Sequence, residues 1–101
     1  MLNQVILIGK LTAIVKKKGK IESFKVIIPR INGIHELEED RPIVVVPPEM
    51  GESIYGSLKD GDVVDVKARI ETVVRGGYGT VTKIVAQKIT ILNKIEDQMN
   101  N

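Results

Sequence analysis

The sequence predicts an all-β domain: a five-stranded Greek-key barrel with a short helix between strands 3 and 4. Three observations carry that expectation. Val, Ile and Thr dominate the chain while aromatic residues make up only 3% of it, which is a strand-forming composition. Glycine, proline and polar breaks divide the chain into five apolar segments. The one stretch whose apolar residues recur four apart falls between the third and fourth of these.

Gln4 to Lys18 forms the first strand, long and free of proline, and Lys17-Lys18-Gly19-Lys20 forms the turn that follows. Ile21 to Arg30 is the second strand, with Phe24, Val26 and Ile28 sharing one face by period-two alternation. Residues 32–42 form a polar loop rich in Glu. Ile43 to Val46 is a short apolar run, expected as a strand buried on both faces, and Pro47-Pro48 ends it. Glu49 to Leu58 fits a helix with Pro48 in its first turn, and Met50, Ile54 and Leu58 lie on one side. Gly61 stops it, while Gly51 and Gly56 weaken it, so packing must hold it.

The fourth strand alternates: Val64, Val66, Ala68 and Ile70 point in, and Asp65, Lys67, Arg69 and Glu71 point out. The fifth, Thr80 to Leu92, changes phase between Ile84/Ala86 and Ile89/Ile91, so a β-bulge near Val85 is expected. The domain spans residues 1–92, and 93–101 is a polar, frayed tail. Three strands, a helix and two strands is the order of the OB fold. Its ligand face centres on strands two and three, flanked by the loops joining strands one and two and strands four and five.

A chain of 101 residues holds one domain and a modest core, and 43% hydrophobic residues is a globular composition. No apolar run approaches the length of a membrane span, and no signal-peptide pattern opens the sequence. Cysteine is absent, which excludes disulfides, thiolate catalysis and cysteine-ligated zinc. The expected compartment is the cytoplasm. The net charge of +2 hides a segregation. Residues 1–30 carry seven Lys/Arg against Glu22 alone, giving +6. Residues 31–62 carry eight acids against Arg41 and Lys59, giving −6, and residues 63–92 return to +3. A basic face of this kind attracts an anion such as nucleic acid; the alternative is a solvated mixed surface.

Two basic segments fall at the loops that flank an OB groove. Lys16, Lys17, Lys18 and Lys20 sit at the first hairpin, where mobile ammonium groups suit phosphates. Alternatively they are a solubilising turn that protects a strand edge. Arg75-Gly76-Gly77-Tyr78-Gly79-Thr80 offers a ring on a glycine-rich arm that can stack on an unpaired base, or is a simple hairpin loop. It is no nucleotide motif, because no helix follows it. Lys25, on the outer face of the second strand, and Arg30, near its end, could track a DNA backbone. The candidate nucleic-acid-binding residues are thus Lys16, Lys17, Lys18, Lys20, Lys25, Arg30, Arg75, Tyr78 and Lys83. His35, the single histidine, lies among Glu36, Glu38, Glu39 and Asp40, where a solvated loop outweighs a cation site. No catalytic constellation, cofactor or metal is expected, and the chain does not read as an enzyme.

The opening MLNQVILIGKLT resembles that of the bacterial single-stranded DNA-binding protein family, with Met1, Asn3, Val5, Leu7, Gly9, Lys10, Leu11 and Thr12 matching its pattern. Phe24 to Arg30, Gly61 to Arg69 and Ile84 to Ile89 resemble its second, fourth and fifth strands. The resemblance implies an OB fold and sequence-independent binding of single-stranded DNA in replication, recombination or repair. It also implies a homodimer or homotetramer built through the first strand. The chain departs from the family in having no Trp and a single Phe. It also lacks the acidic tip ending in Phe, and so is nearer the small tail-less relatives such as primosomal replication protein B. Binding is therefore expected to rest on charge. The other readings are an OB module for protein interaction or assembly without nucleic acid, and RNA binding, which the sequence does not separate from DNA binding.

Overall fold

The computed structural model describes residues 1–30 and 38–95. Its elements are β1 (Val5–Lys17), β2 (Lys20–Pro29), β3 (Glu39–Asp40), β4 (Ile43–Val45), α1 (Pro48–Ser53), β5 (Val63–Arg75), a 3₁₀ turn (Gly76–Tyr78) and β6 (Gly79–Asn93). Five strands close into a ring in the order β1-β5-β6-β4-β2, and β2 returns to β1. The two-residue β3 is an addition on the outer edge of β2. This is the expected OB-like barrel, with its helix between the third and fourth strands of the ring.

Closure depends on β1 using both of its edges. Residues Val5–Lys10 pair with β5, and residues Lys10–Lys17 pair with β2. The strand changes partner at Gly9, where a Cβ would run into the Ile27 carbonyl oxygen. Only glycine lets β1 pass so close to β2. Beyond that point a bulge between Thr12 and Val15, with Ala13 at φ +50°, coils the strand further around the barrel. Before β1 begins, Asn3 continues the ladder with its side chain. Its Nδ2 donates to the Ile70 carbonyl at 2.7 Å, and its Oδ1 accepts from the Ile70 N–H at 2.9 Å. The β1–β2 turn places Lys18 at φ +53° and Gly19 at φ +78°, the pair of left-handed residues that a tight hairpin needs.

The alternation of β2 and β5 builds the core. Leu11, Ile21, Phe24, Val26, Val44, Val64, Val66 and Ala68 are buried. Each large apolar side chain among them stabilises the fold by about 1.5–3 kcal/mol on burial. Several expectations need correction. The Ile43–Val46 run is not buried on both faces: Val44 and Val46 point in, but Ile43 is 56% exposed. The strand is paired on both edges, yet only one face has the barrel behind it. Ile70 is 43% exposed because β5 has by then run past the barrel. Residues 71–75 and 79–83 pair only with each other, as a projecting two-stranded ribbon. The helix is also shorter than expected, ending at Ser53, after which Ile54 leaves helical geometry and a turn carries Leu58 into the core.

The phase change in β6 is a bulge at Gln87, two residues beyond the expected place, where the register skips from Lys88 to Ala86. The helix packs through Gly51, whose Cβ would meet the Ile21 carbonyl oxygen. At the start of the tail, Lys94 and Ile95 are bound rather than frayed. Asp62 is fully buried and accepts from the Lys94 ammonium (2.9 Å), the Ile95 N–H (2.9 Å) and the Lys59 N–H (3.0 Å). Lys94 also donates to the Ser57 carbonyl at 2.5 Å. Burial pushes the Asp62 carboxyl up, but the Ile95, Lys94 and Lys59 donors outweigh it and hold the group below its ordinary value. Residues 96–101, and with them the rest of the expected frayed tail, lie outside the described residues, as do residues 31–37 with His35 and Glu36.

Candidate nucleic-acid interface

The outer face of β2 and β4 is a partly exposed sheet surface that meets β6 at the buried Val85. Period-two alternation puts Ser23, Lys25 and Ile27 of β2 outward, since Phe24 and Val26 are buried. Lys25 sits opposite Ile43 of β4, and Ser23 sits opposite Val45. Val45 in turn lies beside Val85 of β6. The floor of this face is therefore aliphatic, with Ile27, Ile43 and Val45 partly or largely exposed and Lys25 set among them.

The two basic loops do not meet in one patch; they stand at opposite ends of this floor. Strand β4 runs antiparallel to β2 and parallel to β6. The lysine turn lies at the end where β2 begins. The 3₁₀ turn of the β5–β6 ribbon lies towards the end where β2 finishes. A strand laid along the floor would run from one basic end to the other.

The lysine turn is largely open to solvent. Lys16, Lys17 and Lys18 are exposed and Lys20 is half-buried. Among the described residues none of the four has an ion-pair partner. The Lys16 ammonium lies 5.0 Å from the centre of the Tyr55 ring, a cation–π contact that leaves Tyr55 40% exposed. Tyr55 is a ring the sequence reading overlooked, because its helix-side position became visible only when the helix ended early.

Arg30 is differently placed. Its guanidinium holds Asp40 at 2.6 Å and Glu38 at 3.4 Å. The hydrogen bond and the charge of Asp40 raise the Arg30 pKa, and the bond from Arg30 lowers that of Asp40. Lys83 lies directly opposite Glu71 on the ribbon, and Glu71 itself pairs with Arg69. Arg75 is exposed at the ribbon tip. The Tyr78 backbone lies in the 3₁₀ turn; its side chain is outside the described structure. Among the described residues no group of three or more His, Asp or Glu gathers as a metal site, and no helix is long and apolar enough to cross a membrane.

The barrel and this face define an OB-type domain. No protein-family model matches the sequence, and no curated protein matches it. Solved structures do match the fold. The mitochondrial single-stranded DNA-binding protein Rim1 of S. cerevisiae superposes with a TM-score of 0.68 at 14% identity, covering 93% of this chain and 97% of Rim1. A second crystal form of Rim1 gives 0.65 at 17% identity, over 93% of this chain and 98% of that one. A small single-stranded DNA-binding protein from Mycoplasma pneumoniae gives 0.68 at 18% identity, covering 94% of this chain and 100% of that one.

Proposed function

We propose that the protein binds single-stranded DNA, without a consensus sequence and chiefly by charge, in DNA replication, recombination or repair. The observation that carries this reading is the aliphatic floor of β2 and β4 lying between an unpaired lysine turn and the Arg75–Tyr78 ribbon tip. The similarity of the barrel to solved single-stranded DNA-binding proteins supports it. Phosphates meet Lys16, Lys17, Lys18, Lys25 and Arg75, Lys20 stands beside them at the strand's entry, bases lie against Ile27, Ile43 and Val45, and Tyr78 stacks at the far end. Without ring stacking along the floor, each base forgoes about 1–3 kcal/mol, so affinity falls in the micromolar range and drops steeply with salt.

A second copy of the chain is part of the proposal. Residues Val5–Gly9 pair with β5 on one edge only, and Ile6 and Ile8 are 55% and 53% exposed. A free apolar edge of this kind invites pairing with its own copy, giving a symmetric dimer and, from two dimers, a tetramer. Sedimentation showing only an 11.2 kDa monomer at tens of micromolar, roughly the range of weak dimers, would refute this.

The test of function is a titration of labelled single-stranded DNA at low and moderate salt, with RNA of the same length alongside. Salt-sensitive binding is expected. No binding at low salt would move the reading to an assembly subunit, which the ring-poor floor and open β1 edge also fit.

A further inference from the structure

Where β2 begins, β4 ends and the helix starts, the surface folds into a cavity of about 290 Å³. Lys20, Ile21, Glu22, Val45, Val46 and Pro48 line it. The walls are tied in place. The Val46 N–H donates to the Glu22 carbonyl at 2.9 Å, and the helix is pressed onto Ile21 through Gly51. Four of the lining residues are apolar. The other two carry opposite charges, yet among the described residues neither Lys20 nor Glu22 has a hydrogen-bond or ion-pair partner for its side chain.

The size and chemistry select an occupant. The volume lies at the low end of small-molecule sites, which run to about 300–1,000 Å³, and gives room for one planar base. A phosphate is disfavoured because Glu22 repels it, and the neighbouring lysine turn offers it cations without an acid. A nucleobase has apolar faces for Val45 and Pro48, and an edge that carries both donors and acceptors. Guanine alone presents two adjacent N–H donors, N1–H and the 2-amino group, for the two oxygens of one carboxylate. Its O6, next to them, is an acceptor for an ammonium. Adenine, cytosine and thymine each offer a single donor group on that edge.

We propose that this cavity takes one guanine base of the bound strand, with Glu22 on N1–H and the 2-amino group and Lys20 on O6. The proposal rests on the single-strand reading above and adds to it a one-base preference inside otherwise sequence-independent binding. The backbone of that nucleotide leaves the cavity towards Lys16–Lys18, so one guanine at a time is read.

Three labelled oligonucleotides of equal length test it by anisotropy: all-dT, dT with one central dG, and dT with inosine at that position, which lacks the 2-amino group. One dG should tighten binding by about 5- to 100-fold over all-dT, the worth of a good bidentate contact, and inosine should lose most of that gain. In Glu22→Gln the ratio between dG and all-dT should collapse towards one; the ratio is the readout, and circular dichroism checks the fold. Equal binding of dG and all-dT by the wild-type protein, or a preference that survives Glu22→Gln, overturns the cavity proposal and leaves single-strand binding standing. Failure of all three oligonucleotides to bind overturns both.

Discussion

The two ends of β2 carry the same kind of charge in opposite states. At its start, Lys16, Lys17 and Lys18 are exposed and Lys20 is half-buried, and among the described residues none of the four has an ion-pair partner. At its end, Arg30 is held by Asp40 and Glu38. Both ends count as basic along residues 1–30, with four lysines at the start and Arg30 at the end. They differ because the chain folds its acidic segment back onto one of them: Arg30 receives β3, whose Pro29–Glu39 and Ile28–Asp40 pairings bring carboxylates to its guanidinium. An anion approaching the lysine turn displaces only counterions. An anion approaching Arg30 must first compete with two carboxylates. Available charge, not total charge, marks the end of the face that suits the proposed phosphate backbone.

The largest test of this contrast is removal of the free charges. Changing Lys16, Lys17, Lys18 and Lys20 together to Ala should weaken single-strand binding about a hundredfold at low salt. It should also flatten the log–log salt slope by about 2, since Lys16, Lys17 and Lys18 each make a phosphate contact worth about 0.7 on a single strand. A salt series of anisotropy titrations measures both, and an unchanged slope would move the site to another face.

Asp62 and Lys94 show the same pairing inside the protein, where it becomes a matter of stability. Asp62→Ala leaves the Lys59 and Ile95 N–H groups without their acceptor and the Lys94 ammonium with the Ser57 carbonyl but no carboxylate, and should destabilise the fold by about 2–4 kcal/mol in chemical denaturation. The sign of the pH effect follows from the depressed pKa. The contribution of Asp62 is complete above its ordinary value of 3.8 and is lost as pH falls below it through the folded value. Melting temperatures of Asp62→Asn should therefore lose part of the wild-type slope in that acid window; identical slopes would show that the carboxylate charge contributes nothing there.

At the ribbon tip, Tyr78→Ala should weaken binding by about tenfold, within the range of one stacked base, and leave the salt slope as it was. A fall in the slope would instead assign the tip an electrostatic role through Arg75.

The smallest effects belong to the paired end. Arg30→Ala should change affinity less than twofold or so, because its charge is already balanced. Asp40→Asn should loosen the guanidinium, which Glu38 still holds, and tighten binding by about twofold at most, with the salt slope rising by less than about 0.7. An Arg30→Ala protein that binds as poorly as the lysine variant would break the comparison altogether.

What could be read in the sequence followed from local periodicity. The β1–β2 hairpin, the inward Phe24 and Val26, and the buried Val64, Val66 and Ala68 all rest on period-two alternation next to a recognisable turn. Ile43–Val46 gave no phase, since four consecutive apolar residues fit either face. Ile70 continued a true alternation past the point where the barrel stops, and no local pattern marks that point. The states of Arg30 and Asp62 depend on partners 10 and 32 residues away, which composition does not reveal. The cavity beside Glu22 is built from three separate elements, so no contiguous motif records it. Asn3, by contrast, was legible only as part of a family-like opening; its reason is the pair of hydrogen bonds to Ile70.

The buried Asp62 also has a consequence for how the chain is made. During synthesis this residue leaves the ribosome well ahead of its partners, 32 residues before Lys94 and 33 before Ile95. Until they follow, its carboxylate must stay hydrated, and β6 is still missing from the ring. The ring cannot close until β6 takes its place between β5 and β4, and the same segment brings Lys94 and Ile95 to the carboxylate.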